Sequence, residues 1–278
     1  MTGAGGGIGG VAVAHLRQAG HEVVALVARR ADAPAGVPTT VGDCGDPVVA
    51  DRALAGVEAV VHLAAIPSPI GQHVFVNNVR ATYVVLERAA AAGVRRAAIA
   101  SSISVLGLAW GRAGLSPAYV PIDEDHPIRA EEPYALSKQT DENTARMIHR
   151  RHGMALVALR FPFTGGDDRV AERAARVASD PGEGVKDLWA WLHAEDAVVA
   201  LRLAVESDVP GCQVLNVMAP DTISPVPTEE LLDRYHPTAE RRRRLPGTAT
   251  PYATDRAEAL LGFRASRRPP LGQAPPGR

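Results

Sequence analysis

The sequence predicts an α/β protein built on a doubly wound parallel sheet, with a small C-terminal lobe. Three observations carry this. Short runs rich in Val, Ala and Ile alternate with longer helical stretches. The runs are apolar throughout rather than alternating in polarity, as strands covered on both faces are. A glycine-rich stretch opens the chain and leads straight into the first helical pattern.

The strands expected are HEVVALV (21–27), VEAVVHLA (57–64), RRAAIAS (95–101), MALVALRF (154–161) and CQVLNVM (212–218). Helices are expected between and after them, over 8–19, 46–55, 77–92, 134–152 and 194–206. Alternation of this kind builds parallel crossovers. The Pro- and Gly-rich end, RRPPLGQAPPGR (267–278), reads as a disordered tail.

Gly3, Gly6 and Gly9 in TGAGGGIG form GxxGxxG at the start of the first helix. Such a loop lets the backbone turn tightly and approach a pyrophosphate, and the helix start offers free N–H groups and a positive dipole end. A loop of this kind follows a strand, yet only Met1 and Thr2 precede Gly3. In the doubly wound order that strand is central. The expectation is therefore a first strand cut short, with the strands at 21–27 and 57–64 facing across a gap. Such a chain is expected to fold poorly until an apolar N-terminal extension restores the strand.

Composition narrows the function. The chain has 278 residues, 46% hydrophobic, enough for a real core, and a net charge of −1 gives no reason to expect nucleic acid or an acidic membrane as partner. Two distant cysteines, Cys44 and Cys212, form no CxxC pair, so neither a disulfide framework nor a structural metal is expected. No uncharged apolar run approaches the ~18–20 residues that span a bilayer. A cytoplasmic protein acting on a small molecule, without metal, fits these limits. His149 and His152 read as a solvated helix end, the run Arg241 to Arg244 as an exposed loop, and Trp189 and Trp191 as half-buried residues of a strand before His193.

Tyr134 and Lys138 lie one helical turn apart and share a face. A free phenol ionises near pH ~10, and a neighbouring ammonium favours the phenolate. This pair suits proton exchange with a substrate oxygen. Ser102, at the end of the strand 95–101, can hydrogen-bond the same oxygen.

Taken in order, these segments resemble the extended short-chain dehydrogenase/reductases of the NAD-dependent epimerase/dehydratase family. TGAGGGIG, VGDCGD (41–46), HLAA (62–65), NNVRATYVVLERA (77–89), SSISVLG (101–107), YALSK (134–138), LRFPFTGG (159–166) and WLHAEDAVVA (191–200) are each similar to a family motif, over residues 2–264. The resemblance implies an NAD(P)-binding Rossmann domain over 1–162 and a small substrate-binding lobe over 163–266, with 191–206 returning to the Rossmann core. It implies that Gly3, Gly6, Gly7, Ile8 and Gly9 hold the pyrophosphate and that Asp43 borders the adenine. Leu63, Ala64, Ala65 and Phe161 line the cofactor, with Tyr134 and Lys138 also touching it. Ser102, Tyr134 and Lys138 take the catalytic positions, with Asn78 fixing the site, and the family's habit implies a homodimer.

The expected activity is hydride transfer to or from a sugar-like alcohol or carbonyl. The alternative is a sugar epimerase that uses the same residues; a third reading is an NAD(P) sensor without catalysis. The end of the second strand holds Val27, Ala28, Arg29 and Arg30 where NAD enzymes place a carboxylate. Two guanidiniums there favour NADP over NAD. Ile103 and Ser104 stand where family dehydratases carry Asp-Glu, which disfavours water elimination. Phe163 stands where many nucleotide-sugar enzymes carry an asparagine, and Leu106 where a tyrosine is usual before Gly107.

Overall fold

A computed structural model describes residues 1–111 and 114–270. The first helix, α1 (Gly7–Gln18), leads to β1 (Ala25–Val27) and β2 (Thr39–Val41). Then follow α2 (Pro47–Leu54), β3 (Ala59–His62), α3 (Gln72–Ala91), β4 (Arg96–Ser102), β5 (Tyr119–Val120) and α4 (Pro133–His152). The second half holds β6 (Ala155–Phe161), β7 (Phe163–Gly165), α5 (Asp167–Ser179), β8 (Trp191–His193) and α6 (Ala194–Glu206). It ends with β9 (Cys212–Asn216), α7 (Thr228–Tyr235), β10 (Glu240–Arg241) and α8 (Asp255–Leu261).

The strands β3-β4-β6-β9 form one parallel sheet, and β1 pairs β2 beside it. Thr2 joins the two parts, bridging Leu26 on one side and His62 on the other. Met1 and Thr2 thus fill the end of the central strand nearest the glycine loop. Thr2 N–H donates to Val61 O at 3.0 Å, Leu26 N–H to Met1 O at 2.8 Å, and the Met1 amino group to Val24 O at 2.6 Å. This corrects the expectation that two residues leave the neighbours unpaired: they pair at this end. Farther along, Met1 borders a cleft lined by Leu26, Leu54, Val57, Val60 and Val85.

The five expected strands and five expected helices form, with ends moved by a few residues. α3 starts at Gln72, five residues earlier than expected. β2 escaped notice because a three-residue strand carries no periodicity, and α5 and α7 because their polar faces hide a narrow apolar stripe. Capping places the helices: Asp46 accepts from Val48 N–H ahead of Pro47, and Glu132 accepts from Tyr134 and Ala135 N–H ahead of Pro133. Gly153, in the left-handed region at φ 72°, ends α4.

Apolar residues of the sheet, α2, α3 and α4 make one core, and the other sheet face packs on α6 and α8. A separate cluster gathers Ile103, Leu106, Val120, Trp189, Trp191, Leu231 and Tyr252, so the turn after β4 and strand β5 pack with residues from the second half of the chain. Trp189 and Trp191 are fully buried, not half-buried, and only Trp191 lies on a strand. Leu188 and Trp189 take positive φ, and the indole N–H groups donate to Pro181 O and Asp221 O. Phe263 packs into the core beside α8.

The charged run is more integrated than an exposed loop. Arg241 sits in β10 and pairs with Glu229 and Asp233, and Arg242 lies over the Tyr119 ring at 3.2 Å. The first residues of the expected tail are held against the fold. Ser266 and Arg267 N–H groups donate to the Asp196 carboxylate, and Arg267 and Arg268 pair with Glu195 and Asp221. Acids at the start of α6 hold this segment down; 271–278 lie outside the described residues.

Candidate active site

The glycine loop is shaped by contacts that exclude side chains. Gly3 has φ +68°, and a Cβ there would meet Ala64 N and Leu63 C at 2.8 Å. A Cβ on Gly9 would press into Gly3 O and lie 2.9 Å from Ala4 carbons. Gly7 has nothing within 4 Å of a built Cβ. No side chain caps α1, so its first N–H groups stay open to a ligand.

The loop forms one wall of a cleft of about 860 Å³. Gly3, Gly6, Gly7, Ile8, Gly9, Leu63, Ala65, Ser102, Tyr134, Lys138 and Phe161 all line it. Ala64, Asn78, Arg29, Arg30 and Asp43 do not appear in its lining. Ala64 sits one residue behind the wall, its N–H donating to Thr2 Oγ1 at 3.3 Å. Asn78 is buried; it accepts from Ile66 N–H at 2.8 Å and donates to Ile66 O and to Ser137 Oγ. It therefore ties the turn after β3 to the start of α4, and acts behind the cleft. Asp43 pairs with Arg80 and accepts from Gly45 N–H.

Tyr134 and Lys138 stand on the first turns of α4. The ammonium of Lys138 lies 5.7 Å from the Tyr134 ring centre and donates to Ala100 O at 2.8 Å and to Asp141 Oδ2 at 3.2 Å. Burial opposes the Lys138 charge, but Asp141, Tyr134 and Glu142 outweigh it and hold the ammonium above its usual range. Ser102 caps the turn after β4, its hydroxyl accepting from Ser104 N–H and donating to Ser104 Oγ at 3.0 Å. A buried ion pair fixes α4 on the sheet. Arg160 of β6 donates through Nε and Nη2 to both Glu142 oxygens at 2.8 and 3.0 Å, and Ser101 adds a bond at 2.7 Å. Removing one partner of such a pair typically costs about 3–5 kcal/mol.

Four residues at or near the cleft were not read from the sequence. Trp110, half-exposed, meets Tyr134 edge-on with ring centres 5.1 Å apart. The GLAWG segment after SSISVLG was the available signal. Asp32 takes both N–H groups of Arg29 at 2.9 and 3.0 Å and lies against Gly5, whose Cβ would meet it at 2.5 Å. It lies two residues beyond Arg30 in the sequence. Arg169 of α5 lies over Phe163, 5.1 Å from the ring centre, and carries no ion pair among the described residues. Asp141 follows Lys138 at i+3, a spacing visible in SKQTD. His149 and His152 bond to Met154 O and Glu87.

Comparison with known proteins bears on the site. The family model described as "NAD dependent epimerase/dehydratase family" matches residues 1–217. A UDP-glucose 4-epimerase of Streptomyces lividans is 32% identical over 194 residues, 65% of this chain but 55% of its own length. The chain thus spans about half of that relative. An L-arabinose 1-dehydrogenase (NAD(P)(+)) of Haloferax volcanii is 29% identical, covering 76% of this chain and 83% of its own. A 3-diazoavenalumate denitrifying reductase of a Streptomyces species is 30% identical, with 95% and 94% covered. Among solved structures, a short-chain dehydrogenase/reductase superfamily protein of Agrobacterium tumefaciens with bound NAD superposes at TM-score 0.74, 24% identity, over 96% of this chain and 92% of that one. The match over 1–217, together with a glycine loop facing Ser102, Tyr134 and Lys138 across one cleft, places this chain in the NAD dependent epimerase/dehydratase family.

Proposed function

We propose that the protein is an NAD(P)-dependent oxidoreductase acting on a sugar-like alcohol or the matching carbonyl. The observation that carries this is the convergence of Tyr134, Lys138 and Ser102 on the cleft opposite the open start of α1. The residues present fit a dinucleotide: Gly3 and Gly9 leave no room for side chains, and uncapped N–H groups suit a pyrophosphate. Gly6, Gly7, Ile8 and Gly9 would hold its phosphates, Leu63, Ala65 and Phe161 its flanks, with Ala64 supporting them and Asp43 towards the adenine. A bound nicotinamide supplies or accepts the hydride.

The chain's own residues handle the proton. Tyr134 Oη gives a proton to the substrate oxygen in reduction and takes it in oxidation. Lys138 stabilises the phenolate electrostatically and reaches the cofactor ribose. Ser102 donates to the same substrate oxygen, and Asn78 fixes the loop that faces it. Trp110 offers a ring face beside Tyr134 for an apolar side of the substrate.

Phe163, in place of an asparagine that many nucleotide-sugar enzymes carry, supports this reading over a nucleotide-sugar epimerase. Relatives of both kinds match this chain. NADP is favoured through Arg30, which has no partner among the described residues, and through Arg29 once it leaves Asp32; NAD is also accepted. The exposed Val76, Tyr83 and Leu136 on α3 and α4 offer a face for a homodimer. Cys44 and Cys212, both free, fit a reducing cytoplasm. No helix among the described residues is long and apolar enough to cross a membrane.

A panel of sugars, alcohols and carbonyls, read by NADPH and NADH absorbance, tests the proposal. One substrate should change the free cofactor's redox state in step with product. Sugar interconversion with no net change in cofactor would support the epimerase instead. Failure to bind either cofactor would overturn both.

A further inference from the structure

Lys138 and Lys186 are the only two lysines of the sequence, against 28 arginines, and both line the cleft. Lys186 is exposed, while Lys138 is 2% exposed. A buried ammonium without an anion is costly, and buried lysines can become neutral near physiological pH. The charge of Lys138 therefore needs a counter-ion that belongs to it.

Glu142 is not that group, because Arg160 and Ser101 occupy its oxygens. Asp141 is. It is 1% exposed, shares the helix face at i+3, and accepts from Nζ through Oδ2. Its Oδ1 has no hydrogen-bond partner among the described residues. Ala100 O and Asp141 take two of the three Nζ donors and leave one for the cleft.

A chain of hydrogen bonds leads toward the same carboxylate from the other side. Leu63 and Ala64 N–H donate to Thr2 Oγ1, so that hydroxyl gives its proton to His62 Nδ1 at 2.8 Å. His62 then donates from Nε2 to Thr82 Oγ1 at 3.1 Å. The Thr82 proton is left on the Asp141 side, and Thr82 favours the ionised carboxylate. His62 stays neutral, since burial, then Lys138 and the Met1 amino group, push it down to about 3. With these roles every donor in the chain points one way, toward the Asp141 carboxylate.

We propose that Asp141 is the positioning residue that keeps Lys138 an ammonium and fixes its free donor toward the cleft. This rests on the proposed role of Tyr134 and Lys138, although its first test does not. The groups facing the pair are Tyr134 and Glu142 on α4 and His62 on β3; Arg160 on β6 holds Glu142, and the Met1 amino group acts on His62. Burial pushes the Asp141 carboxyl up, opposed by Lys138 and then Thr82. Replacing Asp141 by a neutral group leaves burial to dominate at Lys138. The amine then loses its proton within the working range, and the phenolate of Tyr134 loses its cation.

The test uses the full chain labelled with [¹³C]lysine, which gives two side-chain signals, assigned with Lys186→Arg. In the unaltered protein the Lys138 signal should not titrate below pH ~10.5. In Asp141→Asn its midpoint should fall by at least about one pH unit, and Asp141→Glu should restore it. The alkaline limb of kcat/KM should enter at the same lower pH in Asp141→Asn. A Lys138 titration that is the same in both proteins would overturn the inference, whatever the activity does. So would an unchanged pH profile in Asp141→Asn. A shifted lysine in a protein with no activity on any substrate would instead overturn the proposed function alone. Should Asp141→Asn fail to fold, Asp141→Ser, which leaves room for a water, carries the same expectation.

Discussion

Three glycines at the start of α1 separate what the loop does for the fold from what it does for the ligand. A methyl group on Gly9 would press into Gly3 O and sit 2.9 Å from two Ala4 carbons. These are backbone atoms, so the loop itself must move. Overpacking of this kind costs about 1–3 kcal/mol. At roughly 2–4 °C per kcal/mol for a chain of this size, Gly9→Ala should melt several degrees lower and lose cofactor affinity together. Gly10 is exposed, helical and free of neighbours within 4 Å, and it does not line the cleft. Gly10→Ala should gain about 0.5–1 kcal/mol from helix propensity and bind cofactor unchanged. Gly7 is equally free of protein neighbours but faces the cleft. Gly7→Ala should therefore melt at least as high as the unaltered protein and bind NADPH at least about tenfold more weakly, because its methyl group would occupy ligand space. Thermal melting and fluorescence titration with NADPH read both quantities. If Gly7→Ala binds as tightly as Gly10→Ala, the cofactor does not lie against this loop, and the assignment of the cleft fails.

Other outcomes follow from single residues. Asp32→Asn releases Arg29 and removes a negative charge beside the loop, so the preference for NADPH over NADH should rise about tenfold in paired titrations; an unchanged ratio would make Arg29 a bystander. His62 is held neutral at about 3 when folded, well below the ~6.5 of an unfolded histidine, so the unfolded chain takes up the proton first. Stability present at pH 7 is then lost as pH falls below ~6.5, by about 2 kcal/mol at pH 5 from this group. Denaturant melts of His62→Gln should lack that part of the acid slope, and an identical slope would refute it. An engineered extension of about five apolar residues ahead of Met1 should pair along β1 and β3, cover the cleft at Leu26, Val60 and Val85, and raise the melting temperature by several degrees; an equal melting temperature would show that the pairing of Met1 and Thr2 suffices.

The fold was legible where periodicity and order agreed. Apolar runs over 57–64, 95–101 and 154–161 marked the sheet centre because buried parallel strands have no polar face to confuse them. The glycine spacing and the Tyr134–Lys138 turn are local geometry, so sequence alone placed them. What was missed depends on contacts between distant segments. Nothing in the order of residues says that Asp32 folds back on Gly5, that Trp110 reaches Tyr134, or that Arg169 lies over Phe163. The pairing of Met1 and Thr2 with two strands was missed for a different reason. Two residues carry no strand signal, yet Thr2 bonds to the β3 side through backbone and hydroxyl, and Leu26 N–H of β1 donates to Met1 O. Asp141 was within reach, because i+3 spacing from Lys138 is as readable as the i+4 spacing from Tyr134.

The central claim is that Tyr134 exchanges the proton while the glycine loop holds the cofactor. Tyr134→Phe tests it most directly, because it removes one oxygen and leaves the ring against Trp110. With a substrate found by the panel, the variant should bind NADPH within about twofold of the unaltered protein and lose turnover by about 10²–10⁴-fold. Turnover close to that of the unaltered protein, with the same cofactor affinity, would contradict the account.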